Sequence, residues 1–297
     1  MNLGVPLGLG SGLAWGAADF FGGIQSRRLP ALTVAFWSQA AGALALAAAL
    51  TVLGIEGGPP VAPGVAWGLA GGVGSGLALA LFYRGLAEGT MSVVAPISAC
   101  SAVVPVAAAV LTGDPPDALA GVGVLAAVTG VVLVSRTRPP TRRERPAHTQ
   151  RPGRVVAMAL GSAVGFGLFS VFVDAGTASM AGTTGSRGSP LWVIAGARAS
   201  SLLMLSMIAL VGRRSSLRWP GRRIGPVALV GVGDTGANLL FAYAATTGNL
   251  AVVGVLGSLY PVATVVLARW LLGERLSGGQ NAGVVLALTG VGLLAAA

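Results

Sequence analysis

Apolar positions along this chain do not alternate with polar ones. They run on for about twenty residues at a time, the length a helix needs to cross a bilayer core, and stop at short polar connectors. Ten such runs are legible, near 4–24, 30–53, 64–86, 91–112, 117–135, 155–176, 190–211, 225–246, 250–272 and 278–296. A membrane barrel would place apolar residues at every second position, so continuous runs predict helices, whose backbone groups are satisfied within the segment. The connectors carry stop signals, such as Gly57-Gly58-Pro59-Pro60 and Asp114-Pro115-Pro116-Asp117, because proline offers no N–H to a helical ladder. The first run lacks the basic start of a cleaved leader and is expected to remain as the first span. The expected fold is all-α and integral to the membrane, with ten transmembrane helices.

Composition sharpens this. Of 297 residues, 54% are hydrophobic and 9% charged, against roughly 25% charged in soluble domains, too little polar surface to cover a water-soluble globule. Glycines 4, 8, 12 and 16 recur every four residues, as do glycines 64, 68, 72 and 76, the spacing that lets helices approach closely in lipid. All 19 basic residues are arginine, seven of them in 136–154 and five in 213–223. No aromatics interleave the main cluster, so it reads as a solvated loop and no nucleic-acid partner is expected. The positive-inside rule places the arginine-rich connectors, which follow odd-numbered spans, inside and both termini outside. The single cysteine, Cys100, lies in an apolar run and the single histidine, His148, in the arginine-rich connector. That leaves no disulfide framework or thiolate cluster and little material for a histidine metal site or a Ser-His hydrolase, so no metal, cofactor or catalytic residue is expected.

The chain also echoes itself. Gly72-Val73-Gly74 returns as Gly231-Val232-Gly233, Leu81-Phe82 as Leu240-Phe241 and Val93-Val94 as Val252-Val253, each 159 positions on. Residues 123–131 pair with 283–291 at a displacement of 160, and Leu9-Gly10-Ser11 recurs as Leu160-Gly161-Ser162. A unit of five spans is odd, so its second copy enters the membrane upside down. Such inverted repeats surround a pseudo-two-fold axis, and a solute site between them can open to either side. The expected divisions are a first five-helix unit at 1–135, an Arg/Pro-rich connector at 136–154 and a second unit at 155–297.

Pro261-Val262, then Leu271-Leu272-Gly273-Glu274-Arg275-Leu276, Gln280, Gly283 and Thr289-Gly290-Val291 resemble the C-terminal repeat signature of EamA-type transporters, of the drug/metabolite transporter superfamily. In the first half the corresponding element is Leu111-Thr112-Gly113-Asp114, with Pro105 eight residues before the glycine where Pro261 stands twelve before its own. The resemblance spans essentially the whole chain. It implies a five-plus-five-helix transporter of amino acids, other metabolites or toxic small organics, often outward, with both termini cytoplasmic, opposite to the arginine distribution.

An ionisable side chain at membrane depth is expensive unless it has a partner or a wet cavity. This singles out Asp19, Asp174 and Asp234 as candidates to exchange a proton, with Asp19 and Asp234 also substrate-binding. Asp234, Asn238 and Phe241 share a helix face at i, i+4 and i+7, and Phe82 holds the place of Phe241 in the first half, where Ser75 replaces Asp234. Trp15 and its counterpart Phe166 are expected to line the same space, as is Tyr260, at a break in the helical ladder before Pro261. The competing structural reading pairs each acid with a buried cation, for which Arg198 is the obvious donor. Arg84 and Glu88 read as an i,i+4 pair, and Arg269 as an anchor reaching the surface near Glu274. Together these features predict a multi-pass cell-membrane protein that exports a small organic solute, its partners being that solute and the lipid bilayer. The rivals are a non-transporting scaffold, which needs a filled centre with Asp19 and Asp234 both paired, and an intramembrane lipid enzyme, which needs an acid/base cluster near one interface.

Overall fold

The computed structural model describes residues 3–52, 62–113, 118–136, 152–181, 190–211, 217–247, 256–257 and 259–296. Their helices are α1 (Gly4–Ser26), α2 (Ala31–Val52), α3 (Ala62–Glu88), α4 (Met91–Ala99), α5 (Val103–Thr112), α6 (Ala118–Arg136), α7 (Pro152–Ala181), α8 (Pro190–Val211), α9 (Ile224–Thr247), α10 (Tyr260–Leu272) and α11 (Gly278–Ala296). α4 and α5 form one span, joined by a 3-10 turn at Cys100–Ala102, and no strand occurs among the described residues. Six spans, α2, α3, α4 with α5, α7, α8 and α9, are long and apolar enough to cross a bilayer, while α6, α10 and α11 are shorter apolar helices. α1, diluted by glycine and Asp19, has 23 residues and reaches about 34 Å at 1.5 Å per residue. The chain is thus an integral membrane protein that crosses the bilayer repeatedly, built as two inverted five-helix repeats.

Two expected spans differ in form. The fourth is broken where Pro96 lies inside α4 and Pro105 withholds the N–H that the Ser101 carbonyl would accept, so the ladder between them tightens into the 3-10 turn. The ninth, expected over 250–272, is described as a long helix only from Tyr260, residues 250–255 and 258 lying outside the described residues. Pro261 sits in the first turn of α10, where its missing N–H is tolerated, after a turn at Leu259 that separates α10 from the helical residues 256–257. The two Pro/Gly connectors at 57–60 and 114–117, and residues 137–151 with His148, also lie outside the described residues.

The repeat is visible in the packing. α2 and α8 are displaced by 159 positions at both ends, α6 and α11 by 160. α3 packs on α7 and α8 as its counterpart α9 packs on α1 and α2, and α4 packs on α7 as α10 packs on α1. Glycines set these approaches. A Cβ at Gly16 would strike the Tyr260 carbonyl and Ala263, and one at Gly167, its counterpart in α7, would strike Ser101 and Val104, which stand 159 positions before that pair. Gly130 lies against Ala287 and Gly283 just as Gly290 lies against Ala127 and Gly123, so α6 and α11 meet symmetrically. Phe20, Phe82, Leu86, Met91 and Ile97 fill the fully buried core, while Leu13, Leu44, Leu125, Leu229 and Val285 face outward, as lipid-facing positions should.

Candidate functional site

Small residues of α2 let α9 come close enough for charged side chains to meet in the interior. A Cβ at Gly231 would land on the Ser38 carbonyl, and Gly42 lies under Thr235 and Arg198. Into this crossing α8 projects Arg198, whose side chain is 8% exposed and forms an ion pair with Asp234, itself 30% exposed. Arg198 also donates from Nη1 to Gln39 Oε1 at 2.9 Å and from Nη2 to Thr235 Oγ1 at 3.3 Å. Ser201 Oγ donates to Gln39 Oε1 at 3.2 Å, and Thr235 Oγ1 donates to the Gly42 carbonyl at 3.1 Å. The network therefore ties three spans together and gives a costly buried cation three acceptors, one of them a carboxylate. Asn238 Nδ2 donates to the Asp234 carbonyl at 2.7 Å, which steadies the turn that carries the carboxylate.

Asp19 differs. It is half-buried on α1, within electrostatic reach of Asp234, Tyr83 and Tyr260, yet makes no ion pair or hydrogen bond among the described residues. Gly16, one turn earlier, seats α1 against α10, where Thr264 Oγ1 donates to the Gly16 carbonyl at 3.0 Å. Trp15 and Phe241 meet at 5.5 Å between ring centroids, and Phe166 and Phe82 at 5.8 Å. Phe82 and Phe241 are repeat counterparts, and so are Trp15 and Phe166, so one aromatic contact is built twice. The two copies are not equally open: Phe82 is 1% exposed, packed by Tyr83 and Phe166, and belongs to the core instead of presenting a face to a solute. Trp15 and Phe241 are half-buried.

A cavity of about 320 Å³ lies between the repeats, bordered by Ser101, Pro105 and Val106 of the fourth span, Ser170, Tyr260, and Val291 and Leu294 near the end of α11. Ser101 is the counterpart of Tyr260, and Ser170, 151 positions after Asp19, is the counterpart of that acid by the displacement relating Leu9-Gly10-Ser11 to Leu160-Gly161-Ser162. A hydroxyl, Ser170, thus stands in the second repeat where the first carries the Asp19 carboxylate.

The opposite end is sealed. α10 stops at Gly273, whose φ of 64° is the left-handed conformation that glycine adopts without a Cβ clash. That turn swings Glu274 under α4. Thr90 precedes α4 without a side-chain cap, and the two free amides are taken by Glu274, Oε1 accepting from Met91 N at 3.0 Å and Oε2 from Ser92 N at 2.9 Å. Arg27 Nη2 donates to Glu274 Oε1 at 3.2 Å and to the Gly89 carbonyl at 3.3 Å. The Glu274 side chain is 4% exposed. All nine residues of α4 are buried, and none of the described side chains of α5 is. Arg28, Arg218, Arg222, Arg223 and Arg275 emerge at this same sealed end, so closure coincides with the arginine-rich face.

Several sequence expectations are redrawn by this geometry. Asp19, Asp234, Asn238, Trp15, Phe241 and Tyr260 come together around α1, α9 and α10. Asp174 is exposed on α7, apart from that group. Arg269 does not reach Glu274; its Nη1 donates to Asn281 Oδ1 at 3.3 Å, and Glu274 belongs to Arg27. Arg84 Nε meets Glu88 Oε1 at 2.8 Å, with Arg154 Nε 3.9 Å from the other oxygen. Gln39 and Thr235 are members of the network that the sequence did not flag, although Gln39 stands 159 positions before Arg198 and the repeat displacement alone would have found it. Among the described residues no group of three or more His, Cys, Asp or Glu side chains could hold a metal ion.

A profile of the EamA-like transporter family matches residues 2–136 and 153–296. The crystal structure of another protein superposes with a TM-score of 0.63 at 15% identity, covering 98% of this chain and 96% of that one. That likeness speaks for the fold alone. No curated protein matches the sequence.

Proposed function

The chain belongs to the EamA-like transporter family, of the drug/metabolite transporter superfamily, and from that premise we propose that it moves a small organic solute outward across the cell membrane by alternating access, with Asp19 exchanging a proton. The solute is a metabolite, an amino acid or a drug, and the transporter uses no cofactor. Asp19 is the observation that carries this. A scaffold would leave both acids paired, but only Asp234 has a cation, while Asp19 stands half-buried without a hydrogen bond or ion pair among the described residues. Retaining such a group at membrane depth makes sense where water, a proton or a solute visits it.

In this reading the solute enters from the arginine-rich side while the Glu274 seal is open, contacts Asp19, Tyr260 and the Trp15–Phe241 pair, and leaves by the other end once the seal has closed. Rocking one repeat against the other exchanges the two arrangements, as the pseudo-two-fold axis permits. Proteoliposomes with an imposed pH gradient test the role of Asp19: solute flux should fall to background in Asp19→Asn, and unchanged flux would refute it.

A further inference from the structure

We propose that the connector entering α9 is a docking surface for an anionic phospholipid, its headgroup held by Arg222 and Arg223 and its chains lying against Trp37 and Trp219. The arginine-rich stretch 213–223 differs from the main cluster in carrying a tryptophan, Trp219, among its arginines. Its described part, from Leu217, does not stand off in water. Trp37 of α2 donates from Nε1 to the Arg218 carbonyl at 3.3 Å, and the Trp219 ring meets Trp37 edge-on at 4.8 Å between centroids. Pro220 is buried, and Gly221 turns the chain at a φ of 61°. Arg223 N then donates to the Pro220 carbonyl at 3.1 Å, closing the 3-10 turn that leads into α9. The connector is thereby pinned to the side of α2 that faces lipid: Leu44, two turns on from Trp37 and on the same face, is 73% exposed.

Indole rings gather where headgroups meet acyl chains, because the ring is apolar and its N–H is not. Trp219, 62% exposed beside Trp37, marks that level, and Arg222 and Arg223 follow it within one turn of chain. Neither arginine makes an ion pair or hydrogen bond among the described residues, whereas the acids at this end, Glu88 and Glu274, already have arginine partners. Residues 211–233 contain no Asp or Glu, so the chain itself supplies no local counter-charge. A guanidinium fork matches the oxygens of a phosphate. A zwitterionic headgroup brings its own ammonium and offsets that attraction, while an anionic phosphodiester does not. The exposed indole commits the site to a lipid, since it gives an acyl chain an apolar surface that a soluble phosphate would leave bare.

The test uses the full-length protein, stripped of lipid in detergent and titrated with dioleoyl phosphatidylglycerol or dioleoyl phosphatidylcholine, with binding read by native mass spectrometry. An arginine at an anionic surface is worth about five-fold in affinity, so the first phosphatidylglycerol should bind roughly ten-fold or more tightly than the first phosphatidylcholine. Arg222→Gln/Arg223→Gln should erase that preference. Arg28→Gln/Arg275→Gln removes the same charge from two other connectors of this face, and should leave the first binding step within about two-fold. Thermal unfolding curves confirm that the compared variants are folded, and the comparison of the two lipids on the unaltered protein stands whether or not they are. Equal affinity for the two lipids, or equal losses in the two arginine pairs, would overturn the site. Displacement of bound phosphatidylglycerol by glycerol phosphate, the headgroup without chains, would overturn the choice of a lipid. None of these outcomes bears on the central solute path, so the transport reading stands or falls separately.

Discussion

Arg198 Nη1 donates to Gln39 Oε1 at 2.9 Å across 159 positions of sequence, the displacement that relates the repeats, so two copies of one position meet at the pseudo-two-fold axis. Two arginines there would repel, and two glutamines would leave Asp234 unpaired. The asymmetric pair resolves both problems. Arg198→Ala should therefore cost about 3 kcal/mol, the scale of breaking a buried ion pair discounted for the partial exposure of Asp234. Unfolding in micelles should show Arg198→Ala/Asp234→Ala less destabilised than the sum of the single variants; additivity would deny the coupling.

Glu274 holds the sealed end through two α4 amides and Arg27. In Glu274→Ala the amides of Met91 and Ser92 lose their acceptor, and α4 should loosen from its N-terminus. With Cys100→Ala as background, a cysteine placed by Ser92→Cys should react with an impermeant thiol reagent faster in Glu274→Ala than with Glu274 present. Equal rates would mean that the carboxylate does not close this face.

Glycine substitutions should divide sharply. Gly231→Ala drives a methyl into the Ser38 carbonyl, with backbone on both sides and no flexible chain to yield, and should cost several kcal/mol or prevent folding. Gly236→Ala meets nothing within 4 Å and should be neutral or stabilising by up to about 1 kcal/mol through helix propensity. Melting temperatures of the two purified variants check this directly.

The duplicated aromatic contact should also split by role. Phe82→Ala empties a fully buried position and should cost about 3–5 kcal/mol of stability. Phe241→Ala, at the half-buried copy, should lower solute flux with a smaller stability loss. Equal stability losses with no flux defect in Phe241→Ala would place both rings in the core.

What the sequence makes legible follows from range. Span positions and the repeat are periodic and local, so the apolar runs and the 159-residue echo appear in the helices nearly residue for residue, as the ends of α2 and α8 attest. Asp19 and Asp234 stand out because charge in an apolar run is costly wherever it lies. The Glu274 cap is illegible in advance, because its acceptor and the amides of Met91 and Ser92 are about 180 residues apart and depend on the left-handed turn at Gly273. The core role of Phe82 is equally hidden: its copy Phe241 likewise follows a leucine in an apolar run, and the unequal packing of the two halves separates them.

The claim that the two repeats exchange open ends is tested most directly by locking the sealed one. Cysteines introduced by Arg27→Cys and Glu274→Cys, again with Cys100→Ala, would replace the 3.2 Å ion pair with a short reducible thiol cross-link. Solute flux in proteoliposomes should stop on cross-linking and return on reduction, while a cysteine at the cavity position Ser101 stays reactive throughout. Full flux through the cross-linked protein would contradict transport by opening of this seal.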